Sequence, residues 1–268
     1  MKTIWTLFTG FLALFLLITF GGLRISAEGA TPSAWMLLML GATSLAIVLL
    51  VKNGLPDKRR VGISLLLGLL VVIAGFGVHM SIHFGMLPLA IVTVLCALAM
   101  FSVFGAYPEH AMRLLKNDSA KSVTGSIGIG LAVGIVWGVV NLFLSGEERN
   151  LHITPSAFLV ALNPGVYEEI AFRAFFFAAC LYFLRGGIHS KRQNFTLWFM
   201  MTIPHVLIHT PDMFLEQGLA AGLGSILVLT ALFGVPFAFL QRKRDITSAM
   251  IAHGVVMVIR FSFFGIPA

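Results

Sequence analysis

Charge is what this chain has least of. Only 11% of its 268 residues are charged and 58% are hydrophobic, whereas a soluble domain carries about 25% charged residues; a water-soluble globular protein is excluded. The few charges are unevenly signed, 18 basic against 11 acidic. The basic residues nevertheless lie in short gaps between apolar runs and form no polar face, which excludes nucleic acid as a partner. Cysteine is scarce as well. Cys96 and Cys180 both fall inside apolar runs, where a disulfide framework does not form, so they read as small packing residues. Also missing is the period-2 alternation of a barrel strand. Because backbone in a bilayer must satisfy its own hydrogen bonds, the apolar runs can only be α-helices.

What is present in abundance is apolar length. Runs of helix-compatible length cover approximately residues 4–22, 33–51, 61–82, 86–106, 122–144, 156–184, 195–209, 218–240 and 246–266, most of them long enough for a hydrocarbon core of about 30 Å. The pattern predicts an all-α integral membrane protein, a polytopic bundle of about eight to nine transmembrane helices. Residues 1–150 supply about five spans without a chemical motif, and 151–268 about four spans that carry the chemistry. The first run exceeds the apolar region of a signal peptide and no small-residue cleavage site follows it, so it is expected to persist as the first span. The run 156–184 is too long for one upright helix and contains Asn163-Pro164-Gly165, which removes a backbone donor and invites a break. The run 195–209 is short. Gaps of roughly 4 to 15 residues leave no room for a further soluble domain.

The gaps also predict orientation, because cytoplasmic loops gather Lys and Arg. Alternate gaps, starting from Lys2, hold Lys52, Lys58, Arg59 and Arg60, then Arg113, Lys116 and Lys121, then Arg185, Lys191 and Arg192, then Arg242, Lys243 and Arg244. The intervening gaps hold Arg24 and Arg149 beside Glu28, Glu147, Glu148, Asp212 and Glu216. A multi-pass protein of the cell (inner or plasma) membrane is expected, with the N-terminus cytoplasmic and the C-terminus, Ala268, extracytoplasmic.

Ionisable residues within spans are costly to bury and are the functional candidates in a bilayer. In Tyr167-Glu168-Glu169-Ile170-Ala171-Phe172-Arg173 two adjacent acids sit near the middle of an apolar run. At about 100° per residue Glu169 and Arg173 share a helix face and can pair, which leaves Glu168 to project toward another helix, where it could serve as a base. The bland alternative is that all three are glue between helices or a transporter gate. His205 follows Pro204 on the seventh run and His253 lies about seven residues into the last. One Glu and two His converging from three helices could activate a water, directly or through a metal, and could hydrogen-bond the oxyanion of a peptide transition state. His205 and His209 have the i, i+4 spacing of two zinc ligands, without the Glu of an HExxH motif. His79 and His83 share that spacing without acidic company and read as interfacial. Arg260, seven residues past His253, shares its face and either binds an anionic group or snorkels outward.

The order Glu168-Glu169-x-x-x-Arg173, a later His in a short helix and a final Ala-His resembles the three motifs of the CPBP family, the type II CAAX prenyl endopeptidases and the Abi-like bacteriocin-processing proteins. The resemblance covers roughly residues 156–266. It implies an intramembrane endopeptidase in which Glu168 activates the attacking water and Glu169 and Arg173 complete the first motif. His205 and His253 match the His of the second and third motifs, which the family assigns to the catalytic pocket and oxyanion. The implied substrate is a membrane-associated peptide or protein, a prenylated chain or a leader peptide among the candidates. Both a metal-dependent and a metal-free glutamate mechanism are argued for the family. The cofactor is therefore left open, with a divalent metal such as zinc and the ligands Glu168, His205, His209 and His253 as candidates.

Two positions depart from the motifs. Met201 stands where the second has Phe, and Met257 stands where the third has Asn. A thioether cannot donate a hydrogen bond, and loss of one oxyanion donor costs on the order of 100- to 1000-fold in rate. His209 is the residue placed to compensate. Two rival readings follow: a catalytically weakened pseudo-protease serving as a membrane-embedded binding, immunity or scaffold protein, and a small proton-coupled transporter with Glu168 as carrier. No paired half-helices favour the transporter.

Overall fold

Several helix starts are written locally in the sequence. Asp57, Ser119, Thr154, Ser190 and Asp245 each accept a backbone N–H from three residues on, at 2.8 to 3.2 Å. They thereby satisfy donors that a helix leaves open at its start. The computed structural model describes residues 1–77, 80–117, 119–145 and 150–266, the side chains of 80–85 excepted. His79, Glu147, Glu148, Arg149 and Ala268 lie outside the described residues, as does the His83 side chain.

In chain order the helices are α1 (Lys2–Thr19), α2 (Ala30–Asn53), α3 (Lys58–Ala74), α4 (Met80–Ala106), α5 (Ala120–Leu144), α6 (Pro155–Val160), α7 (Phe175–Phe183), α8 (Lys191–Leu207), α9 (Pro211–Leu229), α10 (Val235–Lys243) and α11 (Ile246–Phe264). Among the described residues, seven helical stretches are long and apolar enough to cross a membrane: α1 to α5, the joined α9 and α10, and α11. The fold is thus an all-α membrane bundle. The two apolar runs that do not reach this length are the broken one and the short one. In the first, α6 stops at Val160, and a π-helical stretch, Pro164–Ala174, leads into α7. In the second, α8 has 17 residues.

One boundary differs from expectation. The gap before residue 218 is helical, because α9 begins at Pro211 and bends at Gly218, whose φ of +86° suits a residue without Cβ.

In lipid both faces of a helix are apolar, so size and polarity decide which face packs inward. On α5 the inward positions recur every fourth residue: Ser122, Ser126, Gly130, Gly134 and Gly138. They meet α11 at backbone distance, since a Cβ on Gly134 would lie 2.7 Å from the Ala252 carbonyl and one on Gly130 would lie 2.9 Å from that of Ser248. Ile127, Leu131 and Ile135 turn outward. The N-terminus of α11 is fixed from the same direction. Buried Asp245 accepts from Ser126 Oγ at 2.6 Å and from the Lys116 amide at 3.3 Å, and the Arg113 and Leu114 carbonyls take the Ile246 and Thr247 amides.

The largest apolar cluster draws residues from both sides of position 150, among them Ile18, Leu49, Met100, Phe172 and Phe175. The N-terminal spans therefore wall the π-helical stretch that carries the two glutamates.

Candidate active site

The site is built on a wide turn. Pro164 has no N–H to give, and the helix resumes with π-type spacing through Ala174. A π turn holds more residues than an α turn, so neighbouring side chains diverge by less than the usual 100°. Glu168 and Glu169 thereby reach the same side of the bundle, toward α8, α10 and α11.

Glu169 is fully buried and held from three elements. Its Oε1 pairs with Arg173 Nη1 one turn on and accepts from His253 Nδ1 on α11 at 2.7 Å. Its Oε2 accepts from Gln241 Nε2 on α10 at 2.9 Å, and the same amide reaches the Glu169 carbonyl at 2.9 Å. A buried carboxylate with this many donors is held in one orientation.

Glu168 is differently placed. Its side chain is 12% exposed and Oε2 lies 2.8 Å from His205 Nε2 on α8. His253 Nε2 stands 3.8 Å away, beyond direct hydrogen bonding. Because the Glu169 carboxylate can only accept, His253 Nδ1 carries a proton, and Nε2 is the nitrogen turned toward Glu168. His205 in turn donates to Glu168 through Nε2. The two imidazoles thus stand on either side of one carboxylate, one bonded to it and one just beyond reach.

Aromatic rings close the surroundings. Phe237 stacks on His253 at 4.8 Å with planes 16° apart, and Arg173 lies 5.4 Å from the same ring. Trp35 and Phe172 stand edge-on or tilted to His205 at 5.9 and 5.4 Å. Trp35 also meets His209 at 4.9 Å. These contacts keep the charged groups in a low-dielectric wall, where their interactions are stronger than in water.

The structure brings Glu168, Glu169, Arg173, His205 and His253 together, and His209 joins them at the rim, its Nε2 3.4 Å from that of His205. Met257 sits in an apolar cluster with Ala157, Val160, Ala161 and Phe261. Arg260 packs on Phe264, 5.6 Å from its ring, at the far end of α11. Gln241 and Phe237 do not stand out in the sequence, and Trp35 reads there as one of the aromatics that a lipid-facing bundle uses. Gln241 sits in a polar run at a helix end, where a glutamine carries no signal, and the two aromatics look like lipid-facing residues until the fold turns them inward.

One group among the described residues has a metal-binding donor set. Single ligand atoms of Glu168, His205 and His209 lie within 4.8 Å of one another. The two imidazole nitrogens, 3.4 Å apart, have the separation that tetrahedral zinc with bonds of about 2.0–2.1 Å imposes. Glu168 and His205 are spaced as a hydrogen-bonded pair, and a metal would part them slightly. The donor types fit. His253 stands outside this group.

Residues 150–259 match the family described as Type II CAAX prenyl endopeptidase Rce1-like. The matched segment contains the five converging residues and ends one residue before Arg260. No curated protein and no solved structure matches the chain.

Proposed function

We propose that this chain, whose residues 150–259 match the type II CAAX prenyl endopeptidase Rce1-like family, is an intramembrane peptidase with Glu168 as its general base. The observation that carries the reading is the contrast between the two glutamates: Glu169 accepts from Arg173, His253 and Gln241, while Glu168 has one bonded histidine and a side chain 12% exposed. Glu168 takes a proton from water, the water oxygen attacks the scissile carbonyl carbon, and the carbon–nitrogen bond breaks as that proton passes to the leaving amine. The His205 Nε2–H that bonds Glu168 is freed once Glu168 takes the proton, and then donates toward the carbonyl oxygen as it gains charge. His253, fixed by Glu169, steadies the attacking water through Nε2. A divalent ion held by Glu168, His205 and His209 would supply Lewis-acid polarisation.

The substrate is a membrane-associated peptide or protein, and the end of the bundle rich in Lys and Arg faces the cytoplasm. Comparing protein termini in membranes of cells carrying the wild type or Glu168→Gln at equal abundance tests the reading. Termini that depend on Glu168 are expected; identical profiles, with the variant folded, overturn it.

Met257 favours a second reading, in which the pocket is weakened and the protein acts mainly as a scaffold. In the apolar cluster it occupies, Met is at home and Asn is not. If the pocket is merely crippled, Met257→Asn raises cleavage. Unchanged cleavage in a folded variant argues against an oxyanion role for that position.

A further inference from the structure

Two cavities, of about 550 and 350 Å³, lie at the end of the bundle where basic residues collect and share the lining residues Ala111, Met112 and Arg113. Their walls carry six basic side chains, Arg59, Arg60, Arg113, Lys116, Arg242 and Arg244, against two acids, Asp57 and Glu109. Arg59, Arg113 and Lys116 are exposed, but Arg60, Arg242 and Arg244 are partly buried and held in place. The Arg242 guanidinium lies 4.6 Å from the Trp198 ring and 5.3 Å from that of Phe177, with Nη2 donating to Asn194 at 2.9 Å. Arg60 is fixed by Asp57 at 3.2 Å and by the Phe101 carbonyl at 3.2 Å. Arg113 donates to the Lys116 carbonyl at 2.9 Å.

Arg242 Nη1 is buried and meets no acceptor among the described residues. A guanidinium N–H withdrawn from water and left without an acceptor is unfavourable, and an anionic oxygen is its best partner. The first cavity adds an apolar side, formed by Ile63, Phe101 and Phe104. An anionic head beside an apolar wall, at the ends of spanning helices, is the chemistry of a phospholipid.

We propose that the adjoining cavities bind the phosphate headgroup of an anionic phospholipid, with the acyl chains on the side of Ile63. The second cavity is also lined by Gln241, whose amide holds Glu169, so the site adjoins the catalytic centre, and its test requires no peptidase activity.

The full-length protein in neutral detergent is titrated with dioctanoyl phosphatidylglycerol, dioctanoyl phosphatidylcholine and inorganic phosphate, and bound lipid is counted by native mass spectrometry. Phosphatidylglycerol is expected to bind about tenfold or more tightly than phosphatidylcholine, and the pair Arg113→Gln with Lys116→Gln to remove that preference. Lys191→Gln with Arg192→Gln deletes the same charge from exposed positions that line neither cavity, and is expected to keep it. Three results overturn the proposal: no preference in the wild type, equal loss in both double variants, or displacement of the lipid by equimolar inorganic phosphate, which marks a site for soluble anions.

Discussion

Two adjacent glutamates meet opposite surroundings. Glu168 is partly open beside one histidine, while Glu169 is sealed among Arg173, His253 and Gln241. Removing one member of a buried pair strands the other charge, at a cost of about 3–5 kcal/mol. Arg173→Met is therefore expected to lower the thermal unfolding temperature in detergent sharply, whereas Glu168→Gln leaves it nearly unchanged. Equal shifts in the two variants would refute the division of labour. Gln241→Leu removes a neutral donor, which costs about 1–3 kcal/mol for the acceptor it leaves. It is expected to reduce Glu168-dependent cleavage while the chain stays folded, and Gln241→Asn, with the same amide on a shorter stem, to restore it only in part.

The charged members of this site stood out in the sequence because ionised groups are rare in apolar runs, and their spacing named Glu169 and Arg173 as partners. Gln241 did not stand out, since beside Arg242, Lys243 and Arg244 it is one more polar residue at a membrane boundary. Residue type marks what is costly to bury. It does not mark what supports it.

At the scale of elements, the contact between α5 and α11 decides where His253 stands. A side chain at Gly134 would place Cβ 2.6 Å from Val255 Cβ, while Gly128 on the same helix has nothing within 4 Å. Gly134→Val is expected to destabilise the protein by about 1–3 kcal/mol through overpacking, and to lower activity by displacing α11. Gly128→Ala is expected to be neutral or stabilising by up to about 1 kcal/mol, because helix propensity improves. Chemical or thermal unfolding of the two variants side by side checks both, and a Gly134 variant as stable as wild type would remove the close-packing account.

The existence of these helices was legible from apolar length, and several of their starts from Asp, Ser or Thr ahead of the run. The π-helical stretch was not legible beyond its break at Asn163-Pro164-Gly165. The choice between i+4 and i+5 bonding is made by the burial of Glu169 and by the Gln241 amide on its carbonyl, neither of which is local. Likewise α9 extends through positions that read as a gap, because the polar residues Asp212 and Glu216 sit in its first turns, where a helix tolerates them.

At the scale of the whole molecule, the charge pattern of the loops sets a prediction independent of the chemistry. Both native cysteines are buried, so single added cysteines report on topology without removing them. Lys116→Cys, exposed beside the cavities, is expected to react with a membrane-impermeant thiol reagent only from the cytoplasmic side. Asn150→Cys, exposed in the stretch that runs alongside Ser262 and Phe263, is expected to react only from the other. Labelling of both from one side would reject the orientation.

The anchoring of Glu169 also has a consequence in time. Its donors come from the stretch it belongs to, from α10 and from α11, and α11 is synthesised after every other described helix. Until α11 has entered the membrane, the nascent chain holds an acid at bilayer depth that lacks its histidine partner, and the histidine that faces Glu168 is missing. On the proposed mechanism, competence for water activation therefore arrives only with α11, so a chain stalled before that step is inert and its Glu169, though already paired with Arg173 and Gln241, still lacks its third donor.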